Sequence, residues 1–360
     1  MSDSLTQLAL NKFKKNRSGL FSFTFITFVG IIAVFAYVLA PDDSENANQM
    51  HLEIHSKKPG FTVQMLTIPS SEQNDDSFFK RLFFGNQNTV TEIPISDYHI
   101  TKTNLEIMQY TEGSLPKQQK TYPRELFPGN PENYIKTKKF VLGTDKYGRD
   151  LLSRMLIGAR ISFFIGFIAV FISLIIGITI GAIAGYFGGK IDTFIMWLIN
   201  ITWSIPTLLL VIAITLALGK GFWQVFIAVG LTMWVEVARV VRGQIISAKE
   251  EQYVEAAKAL GFSDARIIFK HILPNIMAPV IVISAANFAA AILIESGLSF
   301  LGIGAQPPTP SWGAMIKDHY SYIILGKAYL AVIPGIAIMS LVMAFMLIGN
   351  ALRDALDVRN

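Results

Sequence analysis

Long stretches of apolar residues without charge constrain the fold of this chain more than any other feature. A helix needs about 20 apolar residues to cross a hydrocarbon layer roughly 30 Å thick. Six stretches reach or approach this length, namely residues 19–40, 161–189, 193–219, 221–235, 272–294 and 328–352. The fourth stretch spans such a layer only if it continues past Glu236. We therefore predict an all-α polytopic membrane protein with six transmembrane helices.

Composition supports this class and excludes several others. Of the 360 residues, 52% are hydrophobic and 16% are charged, against about 25% charged residues in an average soluble protein. These values exclude an ordinary soluble globule and a disordered chain. The absence of cysteine excludes disulfides, thiolate catalysis, Cys-ligated zinc and iron–sulfur clusters. The first stretch is longer than the apolar core of a signal peptide, which has about 7–15 residues, so we expect an uncleaved helix rather than a cleaved signal.

The distribution of Lys and Arg predicts the orientation. With the N-terminus inside, thirteen of these cations, Arg359 among them, lie in the inside segments, and the short outside loops hold four at most, including Lys220. This bias places both termini in the cytoplasm. Residues 1–18 and 353–360 are then cytoplasmic, and residues 41–154 form an extracytoplasmic insertion between the first two helices. Short apolar runs in a polar background predict a partly ordered, β-containing cap there.

The inside loop before the fifth stretch carries local helix signals. Residues 248–260 favour a helix, and Gly261 follows as a natural left-handed C′ residue. Ser263 or Asp264 caps a second short helix over residues 265–272. We expect two short helices at an angle that project into the cytoplasm, with small alanines that let a partner surface approach closely.

The spacing of residues in this loop resembles that of a known family. The loop contains Glu-Ala-Ala at 255–257, three further residues, Gly261, nine more residues and then His271, which precedes Ile-Leu-Pro. This spacing is similar to the signature loop of ABC importer membrane subunits. In that family the loop, here residues 243–275 and called the coupling loop below, forms coupling helices that dock on a cytoplasmic ATPase. The resemblance implies an ATPase-coupling role for Glu255, Ala256, Ala257, Gly261, His271, Leu273 and Pro274. The family usually has an aliphatic residue where His271 stands, although a His is familiar in its peptide-permease branch. The alternative is an ordinary amphipathic loop of another polytopic protein.

Three further motifs narrow the resemblance. Residues 142–154 read Leu-Gly-Thr-Asp-Lys-Tyr-Gly-Arg-Asp-Leu-Leu-Ser-Arg, and Asp150 is the expected N-cap of a short surface helix that leads into the second span. Residues 295–313 join Glu-Ser-Gly-Leu-Ser-Phe-Leu-Gly to a proline-rich run that ends in Ser-Trp-Gly, and residues 352–357 read Leu-Arg-Asp-Ala-Leu-Asp. Together these motifs resemble the C-type permease subunit of the dipeptide/oligopeptide/nickel importer family.

The resemblance covers residues 12–40 loosely and residues 140–357 closely, but relatives have a much shorter connection in place of residues 41–140. It implies half of a translocation pathway for short peptides in a bacterial inner (cytoplasmic) membrane, with the permease core at residues 155–352. The implied partners are a homologous second permease, two P-loop ATPases, an extracytoplasmic substrate-binding protein and membrane lipid, with no nucleic acid. The chain itself is then not an enzyme and holds no cofactor, because ATP and Mg bind to the partner ATPases. Nickel or a nickel chelate is the alternative cargo, and a membrane-anchored receptor or assembly factor acting through the insertion is the alternative of another class.

Polar residues within the apolar stretches are candidates for the pathway. Such residues usually face protein or a water-filled cavity. The candidates are Asn200, Trp203, Pro206, Asn287 and Glu295. Glu236 and Arg239 lie three residues apart, and we expect them to pair on one helix face or to serve the pathway or a partner.

Three other motifs each have a structural alternative. His51 and His55 would share a metal ion if they lay on a helix, but their polar surroundings favour a solvated segment. The glycine-rich residues 185–190 depart from the spacing of a phosphate-binding loop and are expected to form a tight turn. Residues 77–84, Ser-Phe-Phe-Lys-Arg-Leu-Phe-Phe, form either an interfacial helix on the outer leaflet or part of the core of the outside cap.

Overall fold

The computed structural model describes residues 5–69, 77–86, 91–113, 116, 118–219 and 221–356. Three residues that support the predicted orientation or the closing motif, Lys220, Asp357 and Arg359, lie outside this described part of the chain. The chain forms two compact units, each built from separate segments. The first unit takes residues 1–30, 162–306 and 335–360, and the second takes residues 31–161 and 307–334.

Helices make up most of the described chain. The helices before residue 200 are α1 (Leu5–Lys15), α2 (Arg17–Val34), α3 (Ala36–Leu39), α4 (Phe78–Phe84), α5 (Leu151–Phe187) and α6 (Gly189–Ser204). Those that follow are α7 (Thr207–Leu218), α8 (Phe222–Ala248), α9 (Gln252–Ala259), α10 (Asp264–Arg266), α11 (Met277–Phe300), α12 (Trp312–His319) and α13 (Tyr329–Leu356). A π-helix, Ile267–Ile272, and a 3-10 helix, Leu273–Ile276, join α10 to α11. Further 3-10 helices are Glu45–Ala47, Leu52–Ile54, Arg124–Leu126, Pro131–Tyr134 and Tyr320–Ile323.

Five helical segments of the described chain are long and apolar enough to cross a membrane. They are residues 17–34, 151–187, 222–248, 264–300 and 329–356. The helices α6 and α7 pass the same test together, with a bend of 92° between them, and form a sixth span if they are taken as one broken helix. The break falls at Ile205, which is extended because the residue before a proline disfavours the helical region. These segments match the six predicted stretches, and α8 continues past Glu236 as expected.

Two details of the predicted helices differ from the structure. The first stretch is not one helix up to residue 40, because α2 ends at Val34 and the short α3 follows after Phe35. The residues expected to form a separate surface helix after Asp150 are instead the start of α5, which runs without a break for 37 residues. No proline interrupts its ladder of backbone hydrogen bonds. At 1.5 Å per residue, α5 is about 55 Å long and exceeds the roughly 30 Å of a hydrocarbon core.

In the first unit, three glycines let α5 approach α8 closely. A Cβ atom added at Gly177 or Gly181 would lie 2.5 Å from an atom of α8, and one added at Gly185 would lie 2.8 Å away. The three glycines are four residues apart and therefore share one face of the helix. Small residues at this spacing allow helix backbones to pack tightly within membranes. This part of α5 and α8 is thus packed as one body.

In the second unit, the described part of residues 61–140 forms an antiparallel sheet with the strand order β4-β3-β2-β1-β5. The strands are β1 (Phe61–Ile68), β2 (Thr91–Ile100), β3 (Asn104–Gln109), β4 (Gln119–Pro123) and β5 (Ile135–Phe140). Alternate residues of β1 pack on opposite faces, as a strand requires. One face holds Leu66 with Ile93, Ile95, Leu105, Ile107 and Phe127, and the other holds Val63 and Met65 with Ile54 and Phe140. The all-α prediction is therefore wrong for this segment, and the expected β content is confirmed.

The first and last residues of the sheet are neighbours in space. Phe61 at the start of β1 is paired with Phe140 at the end of β5. The backbone N–H of Gly60 donates to the carbonyl oxygen of Phe140 at 2.9 Å. Five strands are thus contained between two positions that are hydrogen-bonded neighbours.

A buried-aspartate turn (residues 142–150) precedes α5 in the second unit. The Asp145 carboxylate is fully buried and accepts hydrogen bonds from the backbone N–H groups of Tyr147 and Arg149 at 2.8 and 3.0 Å. The Nε of Arg149 donates to the same carboxylate at 2.6 Å, and the Nε of Arg154 lies 3.7 Å away. Two buried guanidinium groups therefore neutralise one buried carboxylate.

Close backbone packing fixes the rest of this turn. Asp150 accepts a hydrogen bond from the Ser153 N–H at 2.9 Å, which confirms it as the N-cap of α5. Gly148 has a φ of +74°, and a Cβ atom there would lie 1.7 Å from the carbonyl oxygen of His51. Only glycine therefore fits at this position, both by backbone conformation and by space.

Candidate functional site

The coupling loop starts with a break that the sequence did not predict. The expected single helix over residues 248–260 is interrupted, because α8 ends at Ala248 and α9 begins only at Gln252. Glu251 has an extended conformation, with φ −78° and ψ 142°, and separates the two helices. The chain thus changes direction before the Glu-Ala-Ala motif, and α9 carries that motif as a helix of its own.

Gly261 ends α9 in the left-handed conformation that its position predicts. Its φ is +74°. The Gly261 N–H donates to the carbonyl oxygen of Lys258 at 2.9 Å, and the Phe262 N–H donates to that of Ala257 at 3.2 Å. These two bonds form a Schellman motif, which satisfies carbonyl groups at the helix end and reverses the chain. The predicted role of Gly261 as the C′ residue is confirmed.

The second short helix is present but does not stand apart from the fifth span. The α10 helix begins at Asp264 and passes through the π-helix and the 3-10 helix directly into α11. Ser263 is the N-cap residue with an extended backbone, although its side chain makes no capping hydrogen bond. Pro274 lies in the first turn of the 3-10 helix, where its missing N–H leaves no bond unmade. This part of the loop is therefore continuous with α11 through successive helical turns.

An apolar core holds the loop against the long helices of the first unit. Val254 and Ala257 of α9 are buried, as are the isoleucines of the π-helix. They form one cluster with Ala182, Tyr186, Val237, Val241, Ile245, Ala248, Leu273, Ile276 and Val280. Burial of each valine, leucine or isoleucine in the cluster contributes roughly 1.5–3 kcal/mol. The loop is thus packed as an extension of the membrane helices and not as a free connection.

Polar contacts at the margin of this core involve Tyr186 of α5. Its hydroxyl donates to Oδ1 of Asp264 at 2.7 Å, and Nζ of Lys249 donates to its backbone oxygen at 2.6 Å. The ammonium groups of Lys249 and Lys258 lie 5.6 and 5.8 Å from the centre of the Tyr186 ring. Tyr186 therefore contacts loop residues both before and after the Glu-Ala-Ala motif.

His271 stacks on an aromatic ring. The sequence motif includes His271 but does not predict this contact. Its imidazole lies parallel to the Phe262 ring at a centroid distance of 5.6 Å. The guanidinium carbon of Arg266 lies 4.0 Å from the same phenyl ring. His271 is half-buried, so it braces the loop more than it presents a free side chain. Stacking on Phe262 needs a planar ring at position 271. This contact explains why a His fits at a position where the family usually has an aliphatic residue.

The exposed face of the coupling loop carries two large apolar side chains that the motif does not include. Leu260 is 72% exposed and Phe269 is 66% exposed. Of the seven predicted residues, Glu255, Ala256, Gly261 and Pro274 are exposed, His271 is half-buried, and Ala257 and Leu273 are buried. Exposed apolar residues beside small ones are typical of a protein docking surface. The signal that could have identified Leu260 and Phe269 is their apolar character within a polar segment.

The structure separates the five predicted pathway residues into two groups. Asn200, Trp203 and Pro206 are exposed near the bend between α6 and α7. Asn287 and Glu295 are buried inside the first unit, and Oε1 of Glu295 accepts a hydrogen bond from Ser299 at 2.7 Å. Nδ2 of Asn287 is buried and has no hydrogen-bond partner among the residues that the structure describes. The role of both residues in a pathway stays a prediction.

The expected pairing of Glu236 with Arg239 is wrong. Within the described residues no salt bridge joins them, and the Arg239 guanidinium carbon lies 4.0 Å from the centre of the Trp203 ring. Glu236 and Trp203 line a cavity of about 160 Å³, together with Thr202, Thr207, Leu210, Thr232, Met233, Ala290 and Ile294. The Arg239 guanidinium therefore makes a cation–π contact with α6 in place of the expected pair.

An ion pair between α6 and α8 was missed at the sequence level. Asp192 accepts two hydrogen bonds from the Arg242 guanidinium, at 2.5 Å to Nε and 2.6 Å to Nη2. Bidentate Arg–carboxylate pairs of this kind fix orientation as well as contribute energy. The two residues are 50 positions apart, so no local spacing pairs them.

Comparison with known proteins identifies the chain. A family model described as the inner membrane component of binding-protein-dependent transport systems matches residues 177–360, and one described as the N-terminal transmembrane domain of oligopeptide transport permease C matches residues 4–59. The chain belongs to this family of importer permeases. It is thus a membrane-spanning permease component of an ABC importer in the inner membrane.

Individual relatives match this permease over most of their own length. The dipeptide transport system permease protein DppC of Alkalihalophilus pseudofirmus is 43% identical over 230 residues, which are 63% of this chain and 75% of the relative. The glutathione transport system permease protein GsiD of Escherichia coli is 40% identical over 244 residues, which are 66% of this chain and 80% of the relative. Among solved structures, the inward-facing MetNI methionine ABC transporter covers 56% of this chain and 96% of its own, with 20% identity and a TM-score of 0.43.

The weak metal candidate of the permease does not have the geometry that motivated it. The His pair was expected at helical spacing, but residues 52–54 form only one 3-10 turn. His51 is buried and His55 is exposed. In the described part of the chain, no group of three or more His, Asp or Glu side chains is placed to hold a metal ion.

Proposed function

We propose that this permease forms half of the translocation pathway for short peptides. Its relatives are named for dipeptide and glutathione transport, and both cargoes are small peptides. These names favour peptides over nickel or a nickel chelate. The coupling loop carries the rest of the proposal, because a receptor or an assembly factor has no need of an exposed docking face packed on membrane helices.

The assembly that we propose has four further protein subunits. A homologous permease supplies the second half of the pathway, two P-loop ATPases bind ATP and Mg beneath the membrane, and an extracytoplasmic binding protein delivers the peptide. Both termini of this chain and its coupling loop lie in the cytoplasm, and residues 41–154 lie outside. Lys and Arg are concentrated in the segments that this orientation places inside. The chain itself then performs no ATP chemistry.

The coupling loop would transmit ATPase closure as a rigid body. Leu260, Phe269 and the small residues of α9 contact the ATPase, while the buried side of α9 packs on α5 and α8. A displacement of the loop is carried into α11 through unbroken helical turns. ATP binding then shifts the population between inward-open and outward-open states.

The bend between α6 and α7 is the part of the pathway wall that we infer from this chain. Asn200, Trp203 and Pro206 are exposed there, and Glu236 lines the adjacent cavity. Ionisable residues within membrane spans are rare and face protein or a water-filled cavity. A carboxylate at this position suits the cationic amino terminus of a peptide.

Replacement of Gly261 by Val tests the proposal. A non-glycine residue in the left-handed conformation costs about 1–2 kcal/mol, and 1.4 kcal/mol corresponds to about tenfold in an equilibrium. We expect Gly261→Val to lower ATP-driven peptide uptake about tenfold while the protein still accumulates in the membrane. The measurement is uptake of a labelled dipeptide into vesicles that contain the complete importer.

Gly129→Val is the matched control. Gly129 also has a positive φ, +85°, and an added Cβ atom meets open space at both positions. Only Gly261 lies in the coupling loop, so the control variant should retain normal uptake. Normal uptake by Gly261→Val would contradict the coupling role, and equal loss in both variants would indicate a general folding defect.

A further inference from the structure

The α4 helix exposes more aromatic surface than a water-facing helix of its length should. It has seven residues, Phe-Phe-Lys-Arg-Leu-Phe-Phe, and only Leu82 is buried. Its four phenylalanines, Phe78, Phe79, Phe83 and Phe84, are 52–70% exposed. Of the two interpretations that the sequence allowed, packing of these rings in the core of the cap is therefore wrong.

Specific contacts fix which side of α4 faces the protein. Nη2 of Arg81 pairs with Oδ2 of Asp43 at 3.0 Å, and Nη1 of Arg160 donates to the carbonyl oxygen of Leu82 at 3.0 Å. The Arg160 guanidinium also lies 5.3 Å from the Phe83 ring and 5.6 Å from the Tyr37 ring. One ion pair, one hydrogen bond and the buried leucine thus hold the helix in one orientation, with the phenyl rings largely exposed.

The end of α4 is packed on α3 just as closely. Gly85 ends the helix with a φ of +75°, and a Cβ atom there would lie 2.7 Å from the ring of Tyr37 and 2.9 Å from the carbonyl oxygen of Asp43. The Asn86 N–H donates to the same carbonyl oxygen at 2.7 Å. The depth of α4 is therefore set by the depth of α3.

The α3 helix lies at the carboxyl end of the first span. The 18 residues of α2 and the 4 of α3, at 1.5 Å each, cover about 33 Å, close to the thickness of a hydrocarbon core. Residues Val34, Phe35, Val38 and Leu39 at this end expose apolar side chains. Phe78 and Val38 line one common groove, so the aromatic surface of α4 continues the apolar surface of the span.

We propose that the four phenylalanines of α4 insert into the membrane leaflet at the carboxyl end of the first span and anchor the sheet of the insertion to the lipid. Short helices with aromatic residues beside basic ones bind at the boundary of headgroups and acyl chains. The occupant of this surface is lipid because the surface is continuous with a membrane-spanning helix. The inference rests on the family assignment for the span, and on the proposed orientation only for naming the leaflet as the outer one.

The absence of cysteine in the chain makes a site-specific test direct. The variants Phe79→Cys and Phe84→Cys are each labelled with a nitroxide, and the full-length chain is reconstituted in nanodiscs of phosphatidylethanolamine and phosphatidylglycerol. Collision of the label with oxygen, which concentrates in lipid, is compared with collision with nickel ethylenediaminediacetate, which stays in water. The importer complex is measured in the same way.

Two further single-cysteine variants bracket the result. Phe28→Cys reports an exposed position within the first span, and Thr121→Cys reports an exposed position on the edge strand β4. We expect the α4 labels to collide with oxygen several-fold more than with the nickel complex, as at Phe28, and the Thr121 label to show the reverse. Retention of the monodisperse elution profile of the parent chain checks the fold of each variant.

Other outcomes overturn the proposal in distinguishable ways. Water-like collision at both α4 positions would place the rings in solvent, and low collision with both reagents would place them under another protein. If the Phe28 label also behaved as in water, the spanning helix itself would be refuted, and with it the proposed function. A failure confined to α4 leaves the importer assignment intact.

Discussion

The coupling loop in the first unit and the buried-aspartate turn in the second differ in what holds them. The loop packs on α5 and α8 through aliphatic side chains, and its polar contacts lie at the margin around Tyr186. The turn is built around the charged group of Asp145, with Arg149 and Arg154 beside it, and around close backbone contacts. Both segments carry family motifs, but only one of them is held mainly by apolar contacts.

The two segments differ in how strongly their contacts depend on exact geometry. Apolar packing has no preferred direction, so a segment held in this way tolerates small shifts while it remains packed. Buried ion pairs and hydrogen bonds lose much of their energy when either partner is displaced. We therefore expect single substitutions to be far more damaging in the turn than in the loop margin.

Removal of the Asp145 carboxylate should have the largest effect. The variant Asp145→Ala leaves the Arg149 and Arg154 guanidinium groups buried without their partner. Breaking a buried ion pair in this way costs about 3–5 kcal/mol. The thermal unfolding midpoint of the purified chain in detergent should fall strongly, or the protein should fail to accumulate.

Asp318→Ala is the control for that variant. Asp318 pairs with Nζ of Lys146 at 3.1 Å, but both side chains are partly exposed. Exposed pairs contribute about 0–1 kcal/mol, so the midpoint should barely change. Equal effects of the two substitutions would contradict the view that burial of Asp145 stabilises the turn.

A methyl group at Gly148 should have the next largest effect. The variant Gly148→Ala places a Cβ atom against the carbonyl oxygen of His51. Overpacking of this kind lowers the free energy of unfolding by about 1–3 kcal/mol. Gly129→Ala has a similar positive φ without the clash. The unfolding midpoint of Gly148→Ala should therefore lie clearly below that of Gly129→Ala, and equal midpoints would show that backbone strain alone matters.

Loss of the Tyr186 hydroxyl should have a smaller effect. The variant Tyr186→Phe removes the hydrogen bond to Asp264 and keeps the ring near Lys249 and Lys258. A single hydrogen bond contributes about 1 kcal/mol, and the apolar core of the loop remains. Uptake and thermal stability should both fall only slightly. A loss of stability as large as that of Asp145→Ala would remove the distinction between the two regions.

The smallest expected effect is a dependence on pH in the second unit. Burial lowers the pKa of His319, whose Nδ1 donates to the carbonyl oxygen of Met315 at 2.7 Å. Asp145 and Asp318 favour its charged form and Lys146 opposes it, but the effect of burial is larger. Folded His319 thus binds a proton less readily than unfolded His319, whose ordinary pKa is about 6.5.

The sign of this effect follows from the lowered pKa. The free energy of unfolding should decrease as the pH falls below about 6.5, since protonation then favours the unfolded chain. In His319→Gln this contribution is absent, so the unfolding midpoint of the parent chain should fall more between pH 7 and pH 5 than that of the variant. His51, whose pKa is also lowered by burial, contributes to both chains alike. Parallel pH profiles would contradict the role of His319.

Features that depend on neighbouring residues were predictable from the sequence. The C′ role of Gly261 and the N-cap role of Asp150 both follow from residue types within one helical turn, and both are confirmed. The break at Ile205 follows from Pro206, because the residue before a proline disfavours the helical region. The six apolar stretches follow from length and hydropathy alone.

Features that depend on distant residues were not predictable in this way. Glu236 and Arg239 have the spacing of a helical pair, but the ring of Trp203 on another helix takes the cation. The stack of His271 on Phe262 and the pair of Asp192 with Arg242 need the tertiary arrangement to become visible. The sheet of the insertion escaped a strand-by-strand prediction because its long polar connections dilute the alternating pattern.

The adjacent ends of the sheet make the insertion a replaceable module. Gly60 and Phe140 are hydrogen-bonded neighbours. Neither of the two matched family ranges includes residues 61–140. A segment whose ends lie side by side can be exchanged without rerouting the chain on either side. A small fluorescent or affinity domain with close termini can therefore be spliced in place of residues 61–140 to report on which side of the membrane this segment lies. The same geometry allows the sheet to be present while the membrane helices keep their order.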